Sequence, residues 1–193
     1  MMWWQIFASS WNGSALVFKA DGKKAQLTTD ASGTWGCGGW TETNWFQLKW
    51  DDHSIQLHIT IKELIPIMIA VMIWGNKWQG CTVLVHCDNE AVVAILSNRY
   101  CKEPRLMHML RVLFFAEAHY QFRLLAQHVP GACNILADHL SRNQLNEFYK
   151  KFPSANTQAS HVPVSLLQWL LDTQMDWTSE HWTQLFTNFV NRG

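Results

Sequence analysis

A chain of 193 residues with 15 Lys and Arg against 15 Asp and Glu has no net charge at pH 7 when its 9 histidines are neutral. That balance excludes a protein drawn to nucleic acid or anionic membrane by its overall field, so any grip on a polyanion is local or borrowed from a partner. Hydrophobic residues at 48% against 16% charged exclude a disordered chain, and the length fits one ordinary domain with an appendage.

In chain order, residues 24–31, 35–40 and 44–50 read as three β-prone runs separated by turn signals, which fit a meander. Gly36, Gly38 and Gly39 weaken the middle run as a strand, because glycine there usually marks a bulge or a close backbone approach. Residues 61–74 predict a helix with Thr60 as N-cap, Glu63 three residues on and Gly75 closing it. It is apolar almost all round, hence buried, and Pro66 is expected to bend it. The β-branched run 82–87 suits a central strand and leads through Asp88 and Asn89 into a helix ending near Leu96. Pro104 opens a further helix, residues 122–127 give a fifth strand, and Pro130-Gly131 precedes a last short helix at 134–140.

The order predicts a mixed sheet with helices on both faces, an α/β fold. Its helical pattern lapses after Asn143. Residues 144–163 therefore read as a linker between a domain at 24–143 and a helical tail at 164–193, with 1–23 as a leading segment. In the tail, Trp182, Leu185, Phe186, Phe189 and Val190 follow helical spacing and need a partner to cover them. Among the 12 tryptophans, Trp3, Trp4, Trp169, Trp177 and Trp182 fall outside the expected domain and mark surfaces that pack on something else.

Five cysteines without a CxxC pair exclude a zinc ribbon and a disulfide framework and imply reduced, intracellular thiols. The start has no basic leader, and the apolar run 64–74 is too short to span a bilayer, so neither secretion nor a membrane partner is expected.

Asp30, Glu63, Asp88 and Asp138 each fall at the end of a predicted element. Singly, each has an ordinary role: Asx-turn, capping box, N-cap, or first-turn acid favoured by the helix dipole. Jointly they differ. If the first and fourth strands are adjacent and parallel, two of these carboxylates emerge side by side at the strand ends, and the other two reach in from helices. Carboxylates crowded together without a nearby Lys or Arg repel one another, which makes sense chiefly around a divalent cation. Hard oxygen ligands favour Mg²⁺, with Mn²⁺ as a substitute. Ser32, Asn89 and Asn134 border the acids and are candidates for contacting substrate phosphate or 2′-hydroxyls, although turn-making and capping account for them equally well. The aromatics Trp35, Trp40, Trp45 and Trp50 fit core packing better than base stacking.

Thr-Asp-Ala-Ser-Gly-Thr-Trp-Gly-Cys-Gly (29 to 38), Ile-Lys-Glu-Leu (61 to 64), His-Cys-Asp-Asn (86 to 89) and Pro-Gly-Ala-Cys-Asn-Ile-Leu-Ala-Asp-His-Leu-Ser-Arg (130 to 142) resemble the D, E, D, D motifs of retroelement ribonuclease H domains, DIRS-type elements above all. The resemblance implies a ribonuclease H-like three-layer sandwich with a five-stranded mixed sheet. It makes Asp30, Glu63, Asp88 and Asp138 ligands of two Mg²⁺ ions and an RNA–DNA hybrid the substrate. Ser10-Trp11-Asn12-Gly13 and Asp176-Trp177-Thr178-Ser179 are similar to the segments that join such a domain to a reverse transcriptase polymerase and to a tyrosine recombinase, so both are implied partners within a longer polyprotein. An inactive remnant of the same domain is the alternative. Two departures stand out: Gly131 to Asn134 holds no histidine for proton handling, and Ser97 to Glu103 offers only Arg99 and Lys102 to grip a hybrid.

Overall fold

The β-prone runs at the start pair as the meander predicts. In the computed structural model, which describes residues 22–171, β1 (Lys24–Ala31) lies antiparallel to β2 (Gly36–Thr41), and β2 antiparallel to β3 (Asn44–Lys49). The later runs β4 (Thr82–Cys87) and β5 (Arg123–His128) add in parallel on the other side of β1, giving the order β3-β2-β1-β4-β5. The glycines of β2 are demanded by close approach: a Cβ on Gly38 would stand 2.4 Å from the Leu140 Cβ, and one on Gly36 2.0 Å from the Leu48 carbonyl oxygen.

Helix α1 (Ile59–Trp74) starts two residues earlier than its sequence pattern predicts. The cap is His58, not Thr60: the Thr60 N–H donates to His58 Nδ1 at 3.2 Å. The helix runs unbroken through Pro66, and every residue from Ile61 to Met72 is buried, as an all-round apolar helix requires. With the 3-10 turn that follows, the stretch is long and apolar enough by composition to cross a bilayer, but here it forms the middle of the core. Helix α2 (Glu90–Asn98) is capped by Asn89, whose Oδ1 accepts from the Val92 N–H at 3.1 Å. Helix α3 (Pro104–Tyr120) is capped by Glu103, which accepts from the Leu106 N–H at 2.7 Å.

Helix α1 lies on β1 and β2, α3 packs on α1, and α2 covers β4 and β5. Leu27, Phe46, Val83, Val85 and Leu124 point from the sheet into that layer. The opposite face of β1, β2 and β3 is covered by α4 (Ile135–Ser141), so the molecule is an α/β three-layer sandwich around a five-stranded mixed sheet, the expected class.

The stretch 144–163, read from composition as a linker, is packed. Helix α5 (Leu145–Lys151) buries Phe148 against Trp45, with ring centroids 5.5 Å apart, and Phe152 meets Trp40 at 5.3 Å. The chain beyond it is pinned to the β2–β3 turn and β3: the Asn156 N–H donates to the Thr43 carbonyl at 2.9 Å, Trp45 Nε1 to the Asn156 carbonyl at 2.7 Å, and the Ser160 N–H to the Trp45 carbonyl at 2.7 Å. Helix α6 (Val164–Leu171) then sends Leu166, Leu167 and Leu170 into the main core. The amphipathic run from Trp182 to Val190 and the motifs at 10–13 and 176–179 lie outside the described residues.

Candidate active site

The parallel pairing of β1 with β4 sets the site. The offset that pairs Thr28 with His86 puts Asp30 level with Asp88 at the carboxyl ends of the two strands. Asp30 also pairs with Gly38 across β2, and paired residues share a face. That face is the one under α4, since Gly38 abuts Leu140. Asp30 therefore points toward α4, where Ser141 Oγ donates to its Oδ2 and Asn134 Nδ2 donates to its Oδ1 at 3.4 Å. Glu63 comes from the first turns of α1 and Asp138 from α4.

The four carboxyls lie within one another's fields. Burial, then the charges of Asp88 and Asp138, raise Asp30 to about 6 against the lowering effect of the Ser141 hydrogen bond. Burial, then the charges of Asp30 and Asp88, raise Glu63 to about 9, and Asp88 is raised chiefly by burial and then by Asp138. Asp138 acts on Asp30 and Asp88, and Glu63 responds to Asp30 and Asp88.

Glu63 Oε2 is buried with no hydrogen-bond partner among the described residues. An orphaned carboxylate oxygen in a group only 5% exposed is costly unless it is protonated or meets a cation. Glu63, Cys87 and Asp88 offer ligand atoms within 4.8 Å of one another. Burial pushes the Cys87 thiol to about 12, so the oxygens are the ligands on offer, and oxygens suit Mg²⁺ or Mn²⁺. The residues therefore fit a hard divalent cation.

Two features to which sequence reading gave no role sit here, Arg142 and a histidine, His128, that it set aside as more often structural or exposed than catalytic. Arg142 Nε donates to Asp138 Oδ1 at 2.5 Å, and the charge of Arg142 also lowers Asp30 and Asp88, so the cluster is not free of nearby cations as expected. Spacing alone could have found this pair, because the two residues are four apart on a helix. His128, at the end of β5, lies against the Asp88 carbonyl at 3.2 Å and so supplies an imidazole to a site whose final loop has none.

The three candidate substrate contacts are engaged within the protein. Ser32 Oγ accepts from the N–H groups of Trp35 and Gly36, at 2.9 and 3.0 Å, and donates to the Gly36 carbonyl at 3.2 Å, so it builds the β1–β2 turn. Asn89 Oδ1 is the cap of α2. Asn134 is 1% exposed and its Nδ2 donates to the Thr29 carbonyl at 3.0 Å as well as to Asp30, which ties α4 to β1 and leaves no surface for substrate. Trp45 and Trp50 are core residues, the latter donating from Nε1 to the Ser32 carbonyl at 2.9 Å.

No family model and no curated protein matches the chain. Among solved structures it is similar to RNase H1 from the halophilic archaeon Halobacterium salinarum NRC-1, at 15% identity over 64% of this chain and 98% of that one, with a TM-score of 0.47. It is also similar to LC11-RNase H1 in complex with an RNA/DNA hybrid, at 17% identity over 64% and 96%, TM-score 0.49. A third is the N-terminal RNase H domain of a Mycobacterium tuberculosis protein, solved as a fusion with maltose-binding protein, at 18% identity over 67% and 99%, TM-score 0.45.

Proposed function

We propose that this chain is a divalent-metal-dependent endonuclease of the ribonuclease H type, hydrolysing the RNA strand of RNA–DNA hybrids as one module of a retroelement reverse transcriptase. The observation that carries the reading is the Asp30–Asp88 pair at the ends of adjoining parallel strands, beside a buried Glu63 oxygen that has no hydrogen-bond partner among the described residues. The four motifs that carry the retroelement resemblance are the segments that supply these side chains.

In this reading Asp30, Glu63, Asp88 and Asp138 would hold the cations. Two bound Mg²⁺ ions would supply an activated water and charge stabilisation at the leaving oxygen. The protein's own contribution is to orient and to desolvate. Ser141 and Asn134 hold Asp30, Arg142 holds Asp138, and the buried floor of β1 and α1 keeps Asp30 and Glu63 poorly hydrated. His128, exposed and with its Nε2 against the Asp88 backbone carbonyl, would be the imidazole available to relay a proton beside the site. The polymerase and recombinase partners belong to this proposal through the flanking motifs alone.

The test is cleavage of labelled hybrid, double-stranded RNA and DNA duplex with and without Mg²⁺. Cutting of the hybrid alone, abolished by Asp88→Asn, is the expected result. Cutting of DNA duplex indicates transposase- or resolvase-like chemistry on the same fold, and no cutting of any substrate indicates an inactive remnant.

A further inference from the structure

Asn134, Asp138 and Ser141 lie on one stripe of α4 and its entry, at spacings of four and three residues. Asn134 and Ser141 turn to Asp30 on β1, while Asp138 is displayed between them toward Asp88 and Arg142. One helix therefore both docks on the first carboxylate and carries the last, and the shorter of the two contacts that link them comes from the Ser141 hydroxyl.

Ser141 is fully buried, and its Oγ is within reach of the Asp138 carbonyl at 3.0 Å as well as of Asp30 Oδ2. A serine in a helix is ordinarily satisfied by bonding back to the preceding turn, and the Asp138 carbonyl offers that here. The hydroxyl has one proton, however, and a carboxylate is the stronger acceptor. The need lies on the side of Asp30. Its Oδ2 is held by Ser141, and its Oδ1 has only a long contact at 3.4 Å from an amide that also serves the Thr29 carbonyl. Without the hydroxyl, a carboxyl 5% exposed would keep one weak anchor and be free to rotate away from Asp88.

We infer that Ser141 is a positioning residue for the cation site: its hydroxyl fixes the Asp30 carboxylate in the orientation that the ions require and sets the spacing between Asp30 and Asp138. The inference rests on the nuclease reading above. Partners that orient metal-binding carboxylates typically matter by roughly 10- to 100-fold in metal affinity.

The experiment is calorimetric titration of the full chain with Mn²⁺, without substrate, for wild type, Ser141→Ala and Ser141→Cys, the last keeping a similar side chain with a poor donor. Melting temperature is measured on the same metal-free samples. Expected are Mn²⁺ affinities lowered about tenfold or more in Ser141→Ala and less in Ser141→Cys. The Mg²⁺ concentration for half-maximal hybrid cleavage should rise in step. A purely structural serine would lower the melting temperature and leave Mn²⁺ affinity unchanged, and that result overturns the inference. Should Ser141→Ala not fold, Ser141→Cys decides in the same terms. Wild type that takes up no Mn²⁺ defeats the nuclease reading and this inference with it, whereas normal uptake by wild type and both variants defeats this inference alone.

Discussion

Replacing Glu63 by Gln isolates the electrostatic cost built into the site. The folded protein holds Glu63 at about 9, against an ordinary value of 4.5, because burial and the charges of Asp30 and Asp88 disfavour its ionised form. Between those values the native state keeps a proton that the unfolded chain releases. Stability therefore falls as pH rises through that window, by about 1.4 kcal/mol per pH unit for one proton. Relative to pH 4.5, the accumulated cost at pH 7 is at most about 3 kcal/mol, a large part of a domain's total stability. Asp30, raised to about 6 from 3.8, adds a cost of the same sign at lower pH.

Gln has the same shape and does not titrate, so the difference in unfolding free energy between Glu63→Gln and wild type should grow with pH from about 5 to 8. Urea denaturation of metal-free protein in a chelator, at several pH values in that range, measures it. Added Mg²⁺ should stabilise wild type increasingly at higher pH, because the cation binds the ionised carboxylate, and should stabilise the variant much less. A difference that stays flat with pH would show that Glu63 is not the buried, repelled acid described here, and the argument for a cation beside it would fall with it.

Gly131→Ala would put a Cβ 3.2 Å from Asp88 Oδ2, so cleavage should fall several-fold at fixed Mg²⁺ while the melting temperature changes by a degree or two at most, read by steady-state assay and thermal scan. Phe148→Ala opens a hole between Trp45 and Leu140 and should cost about 3 kcal/mol by urea denaturation; a loss below about 1 would mean that residues 144–163 are dispensable. Arg99→Ala leaves Glu117 buried without the guanidinium that donates to both its oxygens at 2.5 and 2.8 Å, and should cost on the order of 3 kcal/mol at pH 7 in the same assay. Because Arg99 is committed to Glu117 and to the Leu124 carbonyl, Lys102 is the remaining cation of the 97–103 loop. Hybrid binding at physiological salt should therefore be weak, and nanomolar affinity by filter binding would contradict this.

Asp88 and Glu63 were the easiest to locate, because the β-branched run of β4 stops at Cys87 just before Asp88 and the apolar α1 carries Glu63 near its start. The adjacency of β1 and β4 was a condition rather than a reading, since parallel pairing across more than 50 residues leaves no local trace. Helix α5 was missed for a related reason. Leu-Asn-Glu-Phe-Tyr-Lys-Lys has too few apolar positions to announce a helix, and its burial is decided by Trp45, about 100 residues earlier. For Ser32, Asn89 and Asn134 the sequence left two readings open. Small polar residues beside an acidic cluster invite a substrate role, yet turn, cap and tether claim each of them first.

Those long-range contacts join into one mechanical path. Phe148 and Trp45 hold Leu140, Leu140 seats α4 on the glycine of β2 that has room for it, and α4 then delivers Ser141 and Asn134 to Asp30 and Asp138 to the mouth of the site. Every link is a side chain in contact with the next, and the helix that does the carrying is only seven residues long. A helix of that length has little stability of its own and takes its place from what packs against it. The segment after the last acidic motif is therefore part of what positions the site: cutting the chain at Asn143 would keep all four carboxylates and remove the support that places two of them.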